Sequence, residues 1–216
     1  MKKIFLILNL ALALSANAYF QQDVNYKISV VLNDQNHTLS AFESIEYSNN
    51  SHQTLNYIWF HVWPNAYKNN NTALANQFLK LGKTDFYFSK PEERGYIDSL
   101  DFKVNNQTIA WEYHPEHIDI VKLILTEPLK PGEKITITTP FKVKIPIGKF
   151  SRLGHIKQQY QITQWYPKPA VFDKNGWHPI PYLNQGEFYS EFGSFEVKIT
   201  LPENYVVGAT GDLQEA

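Results

Sequence analysis

Between residues 26 and 145 apolar side chains recur at every second position in short runs, and each run ends in turn-forming residues. Tyr26, Ile28, Val30 and Leu32 fall on one face and stop at Asn33-Asp34-Gln35-Asn36; Leu39 to Tyr47 resumes the alternation and stops at Ser48-Asn49-Asn50-Ser51. A period of two places successive side chains on opposite faces of an extended backbone, so each run reads as a strand with one buried face. Leu55 to Trp63 is more continuously apolar and suits a central strand ended by Pro64. Ile97–Val104, Thr108–Tyr113, Ile118–Leu125, Lys134–Ile145, Gln159–Tyr166, Phe192–Leu201 and Tyr205–Ala209 complete the series. Many short strands at this spacing predict an all-β chain folded as an antiparallel β-sandwich.

One helix interrupts the strands. Leu74, Phe78 and Leu81 have helical spacing, Asn71 or Thr72 can cap the free amides, and Gly82 can end the run, which predicts a short helix over 72–81. At this length it needs packing against the sandwich to persist.

The first eighteen residues read as an export signal. Lys2 and Lys3 precede the apolar stretch Ile4–Leu14, and Ala16-Asn17-Ala18 has the small-x-small cleavage pattern. Residues 19–216 would then form one exported β-domain, periplasmic or extracellular. No later stretch approaches the roughly 20 apolar residues of a membrane helix. With no Cys, no disulfide can hold the fold, and fourteen Phe, thirteen Tyr and five Trp supply the core instead. Twenty basic and twenty-one acidic residues are spread without a Lys/Arg-rich run, which argues against a nucleic-acid partner.

Catalytic patterns are missing. No His-Glu-x-x-His occurs; in His114-Pro115-Glu116-His117, Pro115 biases the preceding residue away from helix, so the two His read as a turn. His61, inside Ile58-Trp59-Phe60-His61-Val62-Trp63, reads as a hydrogen-bonded core residue, and His178, beside Trp177 and Pro179, as a loop residue, with a place in a cleft as its lesser reading. Glu43 and Glu46 lie three apart in a strand and face opposite sides. No Gly-x-Ser-x-Gly elbow is present. Asn36, Asn49, Asn70 and Asn106 each begin an Asn-x-Ser/Thr triplet and are expected in surface turns.

Residues 163–213 contain Thr-Gln-Trp-Tyr-Pro-Lys-Pro-Ala-Val-Phe-Asp, Gly-Trp-His-Pro, Gly-Glu-Phe-Tyr-Ser-Glu-Phe-Gly-Ser-Phe-Glu-Val-Lys-Ile-Thr-Leu-Pro and Val-Gly-Ala-Thr-Gly-Asp-Leu. This run resembles the closing stretch of the amino-terminal β-domain of secreted bacterial zinc metallopeptidases of the aminopeptidase N type. Residues 57–67 and 94–97 are similar to further elements of that group. The resemblance implies a saddle-like β-domain that packs on a catalytic domain of the same polypeptide and lends one loop to the peptide cleft. It implies that zinc is held by that catalytic domain, beyond Ala216, and that this chain binds no cofactor and is inactive alone. Thr163-Gln164-Trp165 matches the cleft loop, which makes Gln164 and Tyr166 the substrate-binding candidates, with Trp165 expected to pack inward. Tyr166 stands where the family has Gln or Glu. A phenol can accept one hydrogen bond from a substrate ammonium but lacks carboxylate charge. The alternative reading is an exported all-β module that binds carbohydrate or peptide through its aromatic side chains.

Overall fold

The computed structural model describes residues 19–214. The export signal read at 1–18 lies outside them. Fifteen strands alternate with one α-helix and two 3₁₀ turns among the described residues. The larger sheet begins with β1 (Asp23–Asn33) and β2 (Thr38–Ser48), paired antiparallel from Asp23↔Ser48 to Asn33↔Thr38. Their hairpin is set by Asn33, whose Oδ1 accepts from the amides of Gln35 (3.1 Å) and Asn36 (3.0 Å), and by the left-handed backbone of His37, φ 51°. On β1 the residues Val24, Tyr26, Ile28, Val30 and Leu32 are buried, as the alternation requires.

The second pair of long strands, β8 (Ile120–Leu129) and β9 (Lys134–Lys144), follows four short strands, β4 (Tyr96–Asp98), β5 (Lys103–Val104), β6 (Gln107–Thr108) and β7 (Trp111–Tyr113), of which β5 and β6 form a hairpin. β9 pairs with β2 along its whole length, and on its far side with β4 and β5 at separate places. The predicted single strand Ile97–Val104 is therefore two strands. Ser99 adopts φ 60° between them, and Asp101 donates its amide to Thr139 Oγ1 at 3.0 Å. Pro140, which has no N–H for a ladder, falls within that gap.

The facing sheet has the order β12 (Lys168–Pro169), β3 (Leu55–His61), β8 and β7. β3 ends two residues before the predicted Trp63 because a 3₁₀ turn, Trp63–Tyr67, takes over at Pro64. The main core lies between the sheets, with Ile45, Tyr47, Ile58, Phe60, Val121, Leu123 and Val143 at its centre. A second apolar cluster (Trp63, Tyr67, Leu74, Phe78, Phe86, Phe150, Tyr182) surrounds the helix α1 (Ala73–Lys80). Thr72 is its cap: Oγ1 accepts from Ala75 N at 3.2 Å and donates to Ala66 O at 2.7 Å. Gly82, φ 71°, ends it. Leu81, expected on the packed face, is 43% exposed.

Two small hairpins were not expected: β10 (Gly154–Ile156) with β11 (Gln159–Gln161), and β13 (Val171–Asp173) with β14 (Gly176–His178). The predicted strand Gln159–Tyr166 stops at Gln161, opposite the first residue of β10, Gly154, and Gln164 beyond it sits in the left-handed region, φ 53°. The last strand, β15 (Phe195–Thr200), joins β1 in parallel, so the larger sheet is mixed at this edge. Residues 205–209 form no strand. The architecture is an all-β sandwich with one helix, as the alternation predicted. No helix among the described residues is long and apolar enough to cross a membrane.

Asn49 departs from the surface turn expected of it. Its side chain is fully buried: Nδ2 donates to Gln53 O (2.7 Å) and Leu129 O (3.0 Å), and Oδ1 accepts from Ser51 N (3.1 Å), Ser51 Oγ (2.6 Å) and Gln22 Nε2 (3.4 Å). One amide thus joins the end of β2 to the end of β8. Asn49→Ala leaves these groups buried without partners and is expected to cost about 3 kcal/mol, seen as a lower urea midpoint with unchanged slope. A loss under about 0.5 kcal/mol would show that the network carries no stability.

Candidate functional site

The segment 162–167 connects β11 to β12. Thr163 fixes its start by donating Oγ1 to Arg152 O at 3.0 Å. The left-handed turn at Gln164 breaks the strand alternation, so neighbouring side chains need not oppose one another. Trp165 packs inward against Phe141, with centroids 5.8 Å apart, and Tyr166 also turns to the core. Its ring meets Tyr26 edge-on at 5.6 Å and Phe195 at 6.0 Å. Burial first, and the Glu43 carboxyl second, push the Tyr166 phenol up to about 12.

Gln164 goes elsewhere. Its Oε1 accepts from the ammonium of Lys168, which also donates to Ser190 Oγ at 2.9 Å and stands 4.1 Å above the Trp63 ring. Gln164 and Tyr166 therefore share no partner: one belongs to a polar clamp, the other to an aromatic wall. Lys168 is 4% exposed, and burial lowers its amine to about 7. This lysine was not singled out from the sequence. Lys-Pro inside an otherwise apolar segment was the signal available, since a buried Lys is rare.

Beside the clamp, His61 pairs with Lys168 across β3 and β12. It is the core histidine expected: fully buried, stacked on Trp63 at 4.4 Å, with Nε2 accepting from Ile180 N at 3.2 Å. Its Nδ1 has no partner among the described residues. Burial, then the Lys168 charge, hold its imidazole down to about 3. Asp119 closes this corner by accepting from Tyr182 N at 2.7 Å, and burial raises its carboxyl to about 6.

Of the remaining histidines, His37 and His155 stack on each other at 3.6 Å. His178 Nε2 lies 2.9 Å from Asp173 Oδ1 and its ring is edge-on to Tyr189 at 5.2 Å. His114 and His117 stack at 5.1 Å within a turn. Among the described residues no three His, Cys, Asp or Glu side chains are grouped to hold a metal ion. Glu43 and Glu46 separate as the period of two requires: Glu43 is enclosed in the core, and Glu46 pairs with Lys134 at 2.9 Å near solvent.

No family model and no curated protein matches the chain. Among solved structures it is similar to a mutant M1 zinc metallopeptidase from Deinococcus radiodurans bound to a Tyr-Ser-Ala substrate. That pair has 13% identity and a TM-score of 0.47, covering 91% of this chain and 36% of the other. A second structure of the mutant enzyme from that organism gives 14% identity and a TM-score of 0.44, over 85% of this chain and 32% of the other. A two-domain M1 zinc metallopeptidase mutant bound to L-tryptophan gives 16% and 0.44, over 84% and 33%. The chain spans about a third of the length of these structures.

Proposed function

We propose that this chain is the amino-terminal β-domain of a zinc-dependent metallopeptidase of the aminopeptidase N type. In this reading residues 1–18 direct export, and residues 19–216 pack against a catalytic domain of the same polypeptide. That domain holds the zinc, and the loop carrying Gln164 and Tyr166 lines its peptide cleft. The β-domain supplies no zinc ligand, so no chemical step is assigned to it.

One observation carries the reading. The closing part of the run that resembles the family, residues 192–213, leaves apolar side chains exposed. On β15 the apolar side chains Phe195, Val197 and Ile199 register with core residues Tyr26, Ile28 and Val30, yet they remain 49%, 41% and 41% exposed. Val206 and Val207, farther along the same run, are exposed as well. A contiguous apolar surface of this kind fits a face that another domain covers. The alternative, a sugar- or peptide-binding module, would use the exposed rings, such as Tyr87, Phe88 and Phe192, since all five Trp are buried or half-buried.

The reading frame beyond Ala216 tests the proposal. It is expected to encode His-Glu-x-x-His with a more distant Glu as third ligand. An open frame without that pattern overturns it.

A further inference from the structure

Lys168 makes bonds that determine what Gln164 can offer. An ammonium group has three donors and no acceptor, so the atom of Gln164 that meets it must be the carbonyl oxygen. The amide nitrogen then points to the other side, and among the described residues it has no hydrogen-bond partner. Gln164 itself is half-buried. The backbone supports this arrangement, because the left-handed conformation at Gln164 brings a side chain four residues upstream back onto the lysine.

The clamp is also unusual in charge. No carboxylate pairs with Lys168 among the described residues. Its partners are an amide, a hydroxyl and an indole face. The charged and titratable groups near it bond elsewhere. His61, on β3, gives its Nε2 to Ile180 N. Asp119, which precedes β8, takes Tyr182 N. Glu191, next to Ser190, accepts from Phe172 N at 3.4 Å. A buried cation held only by neutral groups is costly, and replacing it with an apolar residue would ordinarily stabilise the fold.

We propose that Lys168 is a positioning residue: it fixes Gln164 with its carbonyl inward and its amide N–H groups outward, so that this loop presents donors to a carbonyl or carboxylate oxygen of a peptide and not a seat for an ammonium. This rests on the peptidase reading above and specifies which part of a peptide the loop addresses. The same ammonium joins the 162–167 loop to the 184–194 loop through Ser190, so it sets the spacing of both. When the amine loses its proton it can accept as well as donate, and Gln164 becomes free to turn over. With that amine near pH 7, the presentation of Gln164 varies within the neutral range.

The clamp is tested on the chain itself by following the Gln164 side-chain amide signal by NMR from pH 5 to pH 9, assigned by its loss in Gln164→Glu. A single transition near pH 7 is expected. It should vanish in Lys168→Arg, which keeps a cation and a donor but does not titrate in this range, and in Lys168→Met. A Gln164 signal left unchanged by Lys168→Met, or one that titrates equally in Lys168→Arg, overturns the clamp. The peptide arm uses the full polypeptide. Gln164→Glu exchanges the outward donor for an acceptor, and KM for a peptide is expected to rise about tenfold with kcat near native. A fall in KM would show that the position seats an ammonium, overturning the proposal. If the titration behaves as expected but the full polypeptide cleaves no peptide, the clamp stands and the peptidase reading falls.

Discussion

Glu43→Met is expected to raise the stability of this chain at pH 8 by about 3 kcal/mol. Glu43 lies in the middle of β2, opposite Ile28 on β1 and Thr139 on β9, and is fully buried. Neither carboxyl oxygen has a hydrogen-bond partner among the described residues. Burial alone pushes this carboxyl well above its ordinary range. The folded chain therefore holds it protonated to higher pH than the unfolded chain does. Stability from that preference is complete below the unfolded value of 4.5 and is lost as pH rises through the folded one. Methionine has a similar length and no group to ionise, so its advantage should grow from pH 5 to pH 8. Urea midpoints of both proteins at the two pH values measure this. A variant midpoint at or below the native one at pH 8 would show that the carboxyl has a stabilising partner in solution.

His61→Gln is expected to change sign with pH. The buried imidazole stays neutral down to about 3 in the folded chain, whereas the unfolded chain binds a proton below 6.5. A depressed value of this kind contributes stability that is complete above pH 6.5 and lost as pH falls toward 3. By pH 4 the loss amounts to about 3 kcal/mol. Asp119 works the other way: with its carboxyl raised to about 6, protonation favours the fold as pH falls through that value. The native pH profile therefore mixes both effects, and only the difference between native and variant isolates His61. Glutamine can still accept from Ile180 N but loses the stack on Trp63. The variant should be less stable at pH 8 by about 1–2 kcal/mol and at least as stable as native at pH 4. A gap that is the same at both pH values would mean that His61 is protonated in the fold.

The long strands were legible because each has one buried and one solvated face: Tyr26, Ile28 and Val30 announce β1 by themselves. The helix was legible because Thr72, Leu74, Phe78 and Gly82 combine cap, stripe and stop. What could not be read was set by contacts distant in sequence. Ser99 breaks a plausible strand where Asp101 must reach Thr139, thirty-eight residues away. Gln164 takes a left-handed turn that no local residue demands, and its reward is Lys168. Asn49 looked like a turn residue and is one, but the ends of β2 and β8 close over it. The candidates Gln164 and Tyr166 came from the family resemblance. Their environments came from the fold, which separates them into a polar clamp and an aromatic wall. Tyr166 in particular rests on Tyr26 and Phe195, so its ring is placed by β1 and β15.

The central claim is that these sheets support a metal centre whose ligands another domain provides. The most direct measurement is the zinc content and peptidase activity of purified residues 19–216 after exhaustive dialysis against dilute zinc. The account predicts substoichiometric, weakly held metal and no turnover of aminoacyl arylamides above a buffer blank. One tightly bound zinc per chain, released together with measurable cleavage by a chelator, would contradict it.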